Sequence, residues 1–256
     1  MRPLVMGVLN VTPDSFSDGG RWFDRDAAIA HGLEMVGEGA DVVDVGGEST
    51  RPGAEPVDEA EEVRRVVPVV EALVPHVRVS VDTRKRGVAE AALAAGATLL
   101  NDVTASLFDV AAAAGAGWVA MHMQGDPRTM QDDPRYDDVV AEVREVLVER
   151  ARAARDAGVG EVWVDPGIGF GKNVDHNLAL LAHLDALVGT GFPVLVGASR
   201  KRFLGVLTGV DDPVDRLEGS LAAATWAMSA GAAMVRVHDV RATVEAARIV
   251  GHEVAA

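Results

Sequence analysis

Eight short runs rich in β-branched residues, separated by Ala-rich amphipathic stretches, constrain this chain more than any other feature. The runs cover residues 4–10, 42–47, 77–83, 98–103, 118–123, 161–166, 193–199 and 233–239. A strand followed by a helix, repeated eight times, points to a closed parallel (β/α)8 TIM barrel of the α/β class rather than to an open sheet. The length of 256 residues suits one such barrel. There is no Pro/Ser-rich linker, low-complexity tract or repeated block, so residues 1–256 read as a single domain. Helix boundaries are also readable. Asp26 precedes an amphipathic stretch over 27–38 as a candidate N-cap, and Gly39 follows it. The stretch 84–95 closes at Gly96. The longest, 136–157, closes at Gly158 and carries Glu142, Arg144, Glu145, Glu149 and Arg152 as a solvated face.

Composition narrows the function. A net charge of −15 argues against general nucleic-acid binding, which needs a basic face. It leaves room for an anionic small substrate, because a few local cations outweigh a distant field. The chain has no cysteine, which removes disulfides, thiolate catalysis and thiolate metal sites and fits a cytoplasmic location. No apolar run is long and charge-free enough to span a bilayer, and the first residues run straight into a strand, so neither a membrane partner nor a signal peptide is expected. Lys85, Lys172 and Lys201 are the only lysines, a bias that reads as surface or genome composition.

The strand ends carry the chemistry. In chain order they reach Asn10, Asp44 to Glu48, Asp82-Thr83, Asn101-Asp102, His122-Met123-Gln124, Asp165, Ser199-Arg200-Lys201, and Arg236-Val237-His238-Asp239. All eight finish polar, and the C-terminal rim is where β/α barrels keep their active sites. Asp82, Asn101 and Asp165 offer acceptors and an amide, a set that suits a flat heterocycle with several N–H donors. Arg51, Arg236 and His238 offer donors and positive charge for a phosphate or diphosphate. Lys201 follows a strand and stands near an expected helix start, which also favours an anion. Two Gly-rich polar segments, 11–20 and 49–56, read either as lids over the rim or as solvated turns.

The ordered set of motifs resembles dihydropteroate synthases. Met6 to Gly20 and Asp44 to Gly53 look like that family's two loop signatures. Ser80-Val81-Asp82-Thr83, Asn101-Asp102-Val103, Met121 to Gly125, Asp165 to Lys172, Ser199-Arg200-Lys201 and Arg236 to Asp239 follow in the family's order, over nearly the whole chain. The resemblance implies a transferase that joins a dihydropterin pyrophosphate to p-aminobenzoate and releases diphosphate, in a cytoplasmic homodimer. It assigns Asn10 to Mg²⁺. Asp82, Asn101, Asp165 and Lys201 go to the pterin ring, and Met121 is a further substrate-binding candidate. Arg236 and His238 go to the diphosphate. Thr50, Arg51 and Pro52, with Phe16 and Asp18, close over p-aminobenzoate, whose pocket Phe170 and Ser199 to Arg202 line. Asp18, Arg51, Lys201, Arg236 and His238 are the catalytic candidates. Some members place a Ser after the Lys of Ser-Arg-Lys to hold the p-aminobenzoate carboxylate. Arg202 stands there in this chain, so that carboxylate is left to backbone N–H groups or to the Arg itself.

No covalent enzyme intermediate is needed, since the work is to stabilise a leaving diphosphate and a developing cation, the latter by Asp18. His122 reads as an orienting or structural residue. His31, His76, His176, His183 and His252 read as surface residues, and Trp22, Trp118, Trp163 and Trp226 as packing. Asp102 and Glu48 read as residues that orient neighbours. Two alternatives remain: a pterin-dependent methyltransferase domain, and a non-catalytic pterin-binding relative.

Overall fold

In a computed structural model, which describes residues 2–12, 25–48, 56–125 and 129–252, the eight expected strands form one parallel sheet. They are β1 Leu4–Asn10, β2 Val42–Gly46, β3 Arg78–Asp82, β4 Leu99–Asp102, β5 Gly117–Met121, β6 Val162–Asp165, β7 Leu195–Val196 and β8 Met234–Val237. Strands adjacent in sequence are adjacent in the sheet, and β8 returns to pair with β1. A bridge between Val164 and Val194 joins β6 to the approach of β7 and closes the barrel. Closure leaves no free sheet edge to pair with another chain.

Ten α-helices lie among the described residues: α1 Arg25–Glu38, α2 Glu59–Leu73, α3 Arg86–Ala94, α4 Phe108–Ala114, α5 Val139–Asp156, α6 Val174–Ala182, α7 Asp185–Val188, α8 Arg202–Thr208, α9 Leu217–Ser229 and α10 Val240–Val250. Three starts differ from the sequence reading. Asp26 lies inside the first turn of α1 instead of before it. Helix α3 begins two residues late, because Arg84 and Lys85 are drawn to Glu48. Helix α5 begins at Val139, because the Asp138 side chain accepts from the N–H groups of Val140 and Ala141. The expected stops hold: Gly39 directly after α1, and Gly96 and Gly158 just past Ala95 and Ala157, the C-caps of α3 and α5, all take positive φ.

Side chains alternate across a strand, so each strand has an inner and an outer column. The outer columns and the apolar stripes of the helices form the larger core, with Val43, Val81, Leu100, Trp118 and Val164 at most 1% exposed. Burying one such aliphatic side chain contributes about 1.5–3 kcal/mol. The inner columns meet at the N-terminal end of the barrel as Met6, Val42, Leu99, Val119, Trp163, Leu195 and Met234, an apolar plug. Two residues further along the same columns stand Val8, Asp44, Asn101, Met121, Asp165, Gly197 and Arg236. The barrel is therefore filled with hydrocarbon at one end and with polar groups at the other. Among the described residues no helix is long and apolar enough to cross a membrane.

Candidate active site at the C-terminal mouth

The polar half of the barrel is one connected network. Asp44 is fully buried at its centre. Its Oδ2 accepts from Arg236 Nε at 2.6 Å and from Asn101 Nδ2 at 2.9 Å. Arg236 Nη2 reaches across to Asp82 Oδ2 at 2.7 Å. Strand register puts Asp82 beside Asn101 and Met121 beside Asp165. Asp165 Oδ1 accepts from the N–H of Gly167 at 2.7 Å. Gly197 lies within the same layer, 3.7 Å from Arg236 Cβ and 4.0 Å from Asp165 Oδ2 as measured from the place of a Cβ. Five strands thus contribute to one polar floor.

The loop from β6 to α6 forms one wall. Gly167 holds φ +64 with His122 O against it, and a Cβ at that position would collide with this carbonyl. Gly169, at φ +81, lets the Lys201 stem pass, since a Cβ there would lie 2.9 Å from Lys201 Cδ. Lys201 Nζ donates to Ile168 O and lies 4.4 Å above the centre of the Phe170 ring. Beneath the loop, buried Lys172 Nζ reaches Gly167 O at 3.0 Å, Phe170 O at 2.9 Å and His122 Nδ1 at 3.0 Å. Burial, with Lys172 beside it, takes the His122 ring down to about 3, so the imidazole is neutral and accepts.

The exits of β7 and β8 are tied to each other. Ser199 Oγ stands 3.0 Å from His238 Nδ1 and accepts from the His238 N–H at 3.2 Å. Arg200 has φ +60, a conformation that a non-glycine residue adopts only when its surroundings hold it. Here the guanidinium pairs with Asp239 at 2.6 Å and its N–H donates to Ser220 Oγ at 2.8 Å. That turn sets Lys201 at the N-cap of α8, as its sequence position suggested.

Burial dominates the electrostatics. It pushes the Asp82 carboxyl up to about 7, against the pull of Arg236 and with the help of Asp44. It also raises Asp165, which Lys201 opposes. Burial, joined by Arg236, brings Lys201 down to about 8 against the pull of Asp165. Arg236 is disfavoured by burial, but Asp44 and Asp82 outweigh this and strengthen its charge.

Residues 6–238 match the family model described as pterin binding enzyme. The dihydropteroate synthase of Mycobacterium leprae is 51% identical over 96% of this chain and 92% of its own length. The structure of Xanthomonas albilineans dihydropteroate synthase with 4-aminobenzoic acid superposes with a TM-score of 0.91 at 52% identity, covering 97% of this chain and 92% of that one. The same enzyme in complex with 7,8-dihydropteroate gives a TM-score of 0.87 at 48% identity, with the same coverage. The chain belongs to the dihydropteroate synthase family.

Membership makes it a transferase of folate synthesis. Of the residues expected in a dihydropteroate synthase, Asp82, Asn101, Met121, Asp165, Phe170, Lys201 and Arg236 surround the polar floor, and Ser199 and His238 stand on the linked exits of β7 and β8. Asn10 ends β1 beside Gly46, with its Oδ1 3.8 Å from where a Cβ would lie. Phe16, Asp18, Thr50, Arg51 and Pro52 lie outside the described residues. Not every polar residue at a strand end joins the mouth. Asp102 alternates with Asn101 and faces outward. Its carboxylate accepts from the N–H groups of Thr104 at 2.9 Å, Ser106 at 2.7 Å and Leu107 at 2.6 Å, and from Trp118 Nε1 at 3.3 Å. Glu48 turns to Arg84 and Lys85. The eight polar ends therefore divide between the site and its supports. His176 is half-buried and completes a capping box with Asn173, instead of lying free on the surface.

Asp102→Ala leaves several turn donors unpaired and is expected to lower stability by about 2–4 kcal/mol, with pterin affinity unchanged. Urea unfolding and a pterin titration on the same variant check both halves.

Sequence reasoning gave no role to Asp44 or Lys172. A carboxylate two residues along from inward-facing Val42 carried a signal, because it shares that column. Lys172 carried none: its partners are mainly backbone carbonyls that a folded loop brings to it.

Proposed function

We propose that this mouth joins a dihydropterin diphosphate to p-aminobenzoate, with the ring held by Asp82, Asn101, Asp165 and Lys201. One observation carries the reading. Asp82 and Asp165 each spend one oxygen on the protein, Asn101 spends its Nδ2, and each keeps an oxygen with no partner among the described residues. Three spare acceptors at one place match an aminopyrimidinone, whose edge is rich in N–H donors. The Xanthomonas structures contain 4-aminobenzoic acid and 7,8-dihydropteroate, a substrate and a product of this reaction.

In the reaction the p-aminobenzoate nitrogen bonds to the methylene carbon next to the ring. The carbon–oxygen bond to diphosphate breaks, and the amine gives up a proton. Arg236 has Nε and Nη2 on carboxylates, so Nη1 is the group it offers the leaving diphosphate. His238, steadied by Ser199, lies beside it on the same strand exit. Phe170 and Lys201 make the side on which p-aminobenzoate enters.

Asn10 fits a Mg²⁺ role. It is a hard oxygen donor at the C-terminal end of β1, on the rim of the mouth, and Mg²⁺ takes few protein ligands where phosphate oxygens and water supply the rest. When bound, the ion supplies positive charge to the diphosphate. The exposed apolar residues Val206, Leu207, Val214 and Leu217, on and between α8 and α9, support a homodimer through that face. The absence of cysteine supports a cytoplasmic setting.

Mixing the protein with Mg²⁺ and both substrates should release diphosphate only when p-aminobenzoate is present, and a sulfonamide should block it. Pterin binding without release would favour a non-catalytic relative. Ring binding should also depend on pH. Below about 7 the Asp82 carboxyl must first lose a proton to accept from the ring, and above about 8 Lys201 loses its charge. Affinity is therefore expected to peak between these values and to fall by up to about tenfold per pH unit on the acid side. Calorimetric titration from pH 5.5 to 9 reads this directly; a flat profile would count against ionised Asp82 as an acceptor.

A further inference from the structure

Among the described residues, the buried side-chain polar atoms left without a partner are Asp44 Oδ1, Ser80 Oγ and Asn101 Oδ1. All three belong to adjacent strands. Register pairs Asp44 with Ser80, and Asn101 stands one inner position above Ser80's own partner Leu99. Asp44 and Ser80 are 0% exposed and Asn101 is 4% exposed, so bulk water does not satisfy them. Buried polar groups cost stability unless something meets them. Their gathering at one spot points to an occupant that brings donors.

We propose that Asp44 is a positioning residue that sets the donor–acceptor polarity of the pterin site by fixing which end of the Asn101 amide faces the ring. A carboxylate only accepts, so Asp44 Oδ2 must face the Asn101 nitrogen, as it does at 2.9 Å. The amide is planar, and its oxygen then points the other way. Arg236 Nε donates to the same Oδ2, which holds the carboxylate in place. Asn101 is thereby an acceptor toward the mouth, like Asp82 and Asp165. Freed from Asp44, the amide can turn and present two N–H donors to the ring's own N–H donors. This rests on the mouth binding a pterin ring. A parent protein that fails to bind 6-hydroxymethylpterin would defeat that reading, whereas variants that differ from a binding parent test Asp44 alone.

Arg236 Nε and Asn101 Nδ2 share Asp44 Oδ2, so Asp44→Ala removes the acceptor that orients the Asn101 amide and lets it reverse, whereas Asp44→Asn, with its oxygen held by Arg236 at the Oδ2 position, keeps that orientation. Asp44→Ala is expected to weaken 6-hydroxymethylpterin binding by about 10- to 100-fold, the cost of a buried mismatch, and Asp44→Asn by no more than about fivefold. The KM for the pterin diphosphate should follow the same order, with the KM for p-aminobenzoate within about twofold of the parent in both. Asn101→Asp sets two carboxylates against each other and should weaken binding as much as Asp44→Ala does. Parent-like binding by Asp44→Ala would overturn the proposal, as would an equal loss in Asp44→Asn. A further check needs no substitution. The Asn101 side-chain amide protons should be protected from solvent exchange before ligand is added. They should stay bonded to Asp44 afterwards, and transfer of these protons to the ligand would overturn the assignment.

Discussion

Asp165→Ala is expected to abolish useful pterin binding while leaving the barrel folded. The carboxylate is 5% exposed, one oxygen is tied to Gly167 N, and the other faces the mouth. Removing it leaves ring donors buried without an acceptor and Lys201 without the carboxylate that most favours its charge. The cost should be roughly 2–5 kcal/mol in binding, the scale for breaking a buried charge-assisted pair. Stability should change little or rise, because burial already disfavours this carboxylate in its charged form. Titration calorimetry with a pterin ligand checks the first point and thermal melting the second. Unchanged affinity would remove Asp165 from the site.

Arg236→Met should have the largest effect on stability. The arginine neutralises Asp44 and Asp82 at 2.6 and 2.7 Å, and its replacement leaves two buried carboxylates facing each other. Breaking such a buried pair by removing one partner costs about 3–5 kcal/mol. The deficit should depend on pH with a definite sign. Burial raises Asp82 in the folded chain to about 7, so its unfavourable contribution is absent below its unfolded value and fully present above about 7. Without Arg236 the carboxyl rises further. The variant should therefore approach parent stability as pH falls from 8 toward 5. Urea midpoints measured at several pH values test this. A deficit that grew on acidification would mean that Arg236 does not serve as the counter-charge.

Lys172 shows why a site cannot be drawn from motifs alone. Its burial, with Lys201 adding, brings the ammonium down to about 7 against the pull of Asp165, yet it touches no substrate-facing oxygen. It pins the carbonyls of Gly167 and Phe170 and so fixes the wall on which Phe170 and Lys201 meet. Arg200, in the turn after β7, is a parallel case. Its positive φ is held by Asp239 and Ser220, which lie 39 and 20 residues away in sequence. Neither relation has a local signature, because both depend on groups that meet only when distant strands close.

What the sequence determined by itself was the architecture and the inventory of the mouth. Strand runs and helical stretches set a (β/α)8 barrel, since each strand's β-branched residues and each helix's apolar stripe can be buried only against the other. Ordered polar strand ends set the family and the candidate residues. Only the tertiary structure decided which of two adjacent polar residues faces the ligand. Asn101 and Asp102 are neighbours on β4, and alternation sends them to opposite sides, while Thr83, next after Asp82, turns its hydroxyl to Glu62. Which side is inward follows from register and barrel closure. So does the fact that Asp44, on β2, meets Asn101 and Arg236 across the barrel. Hydrogen bonds between strands far apart in sequence have no local cause, and the closed sheet supplies it.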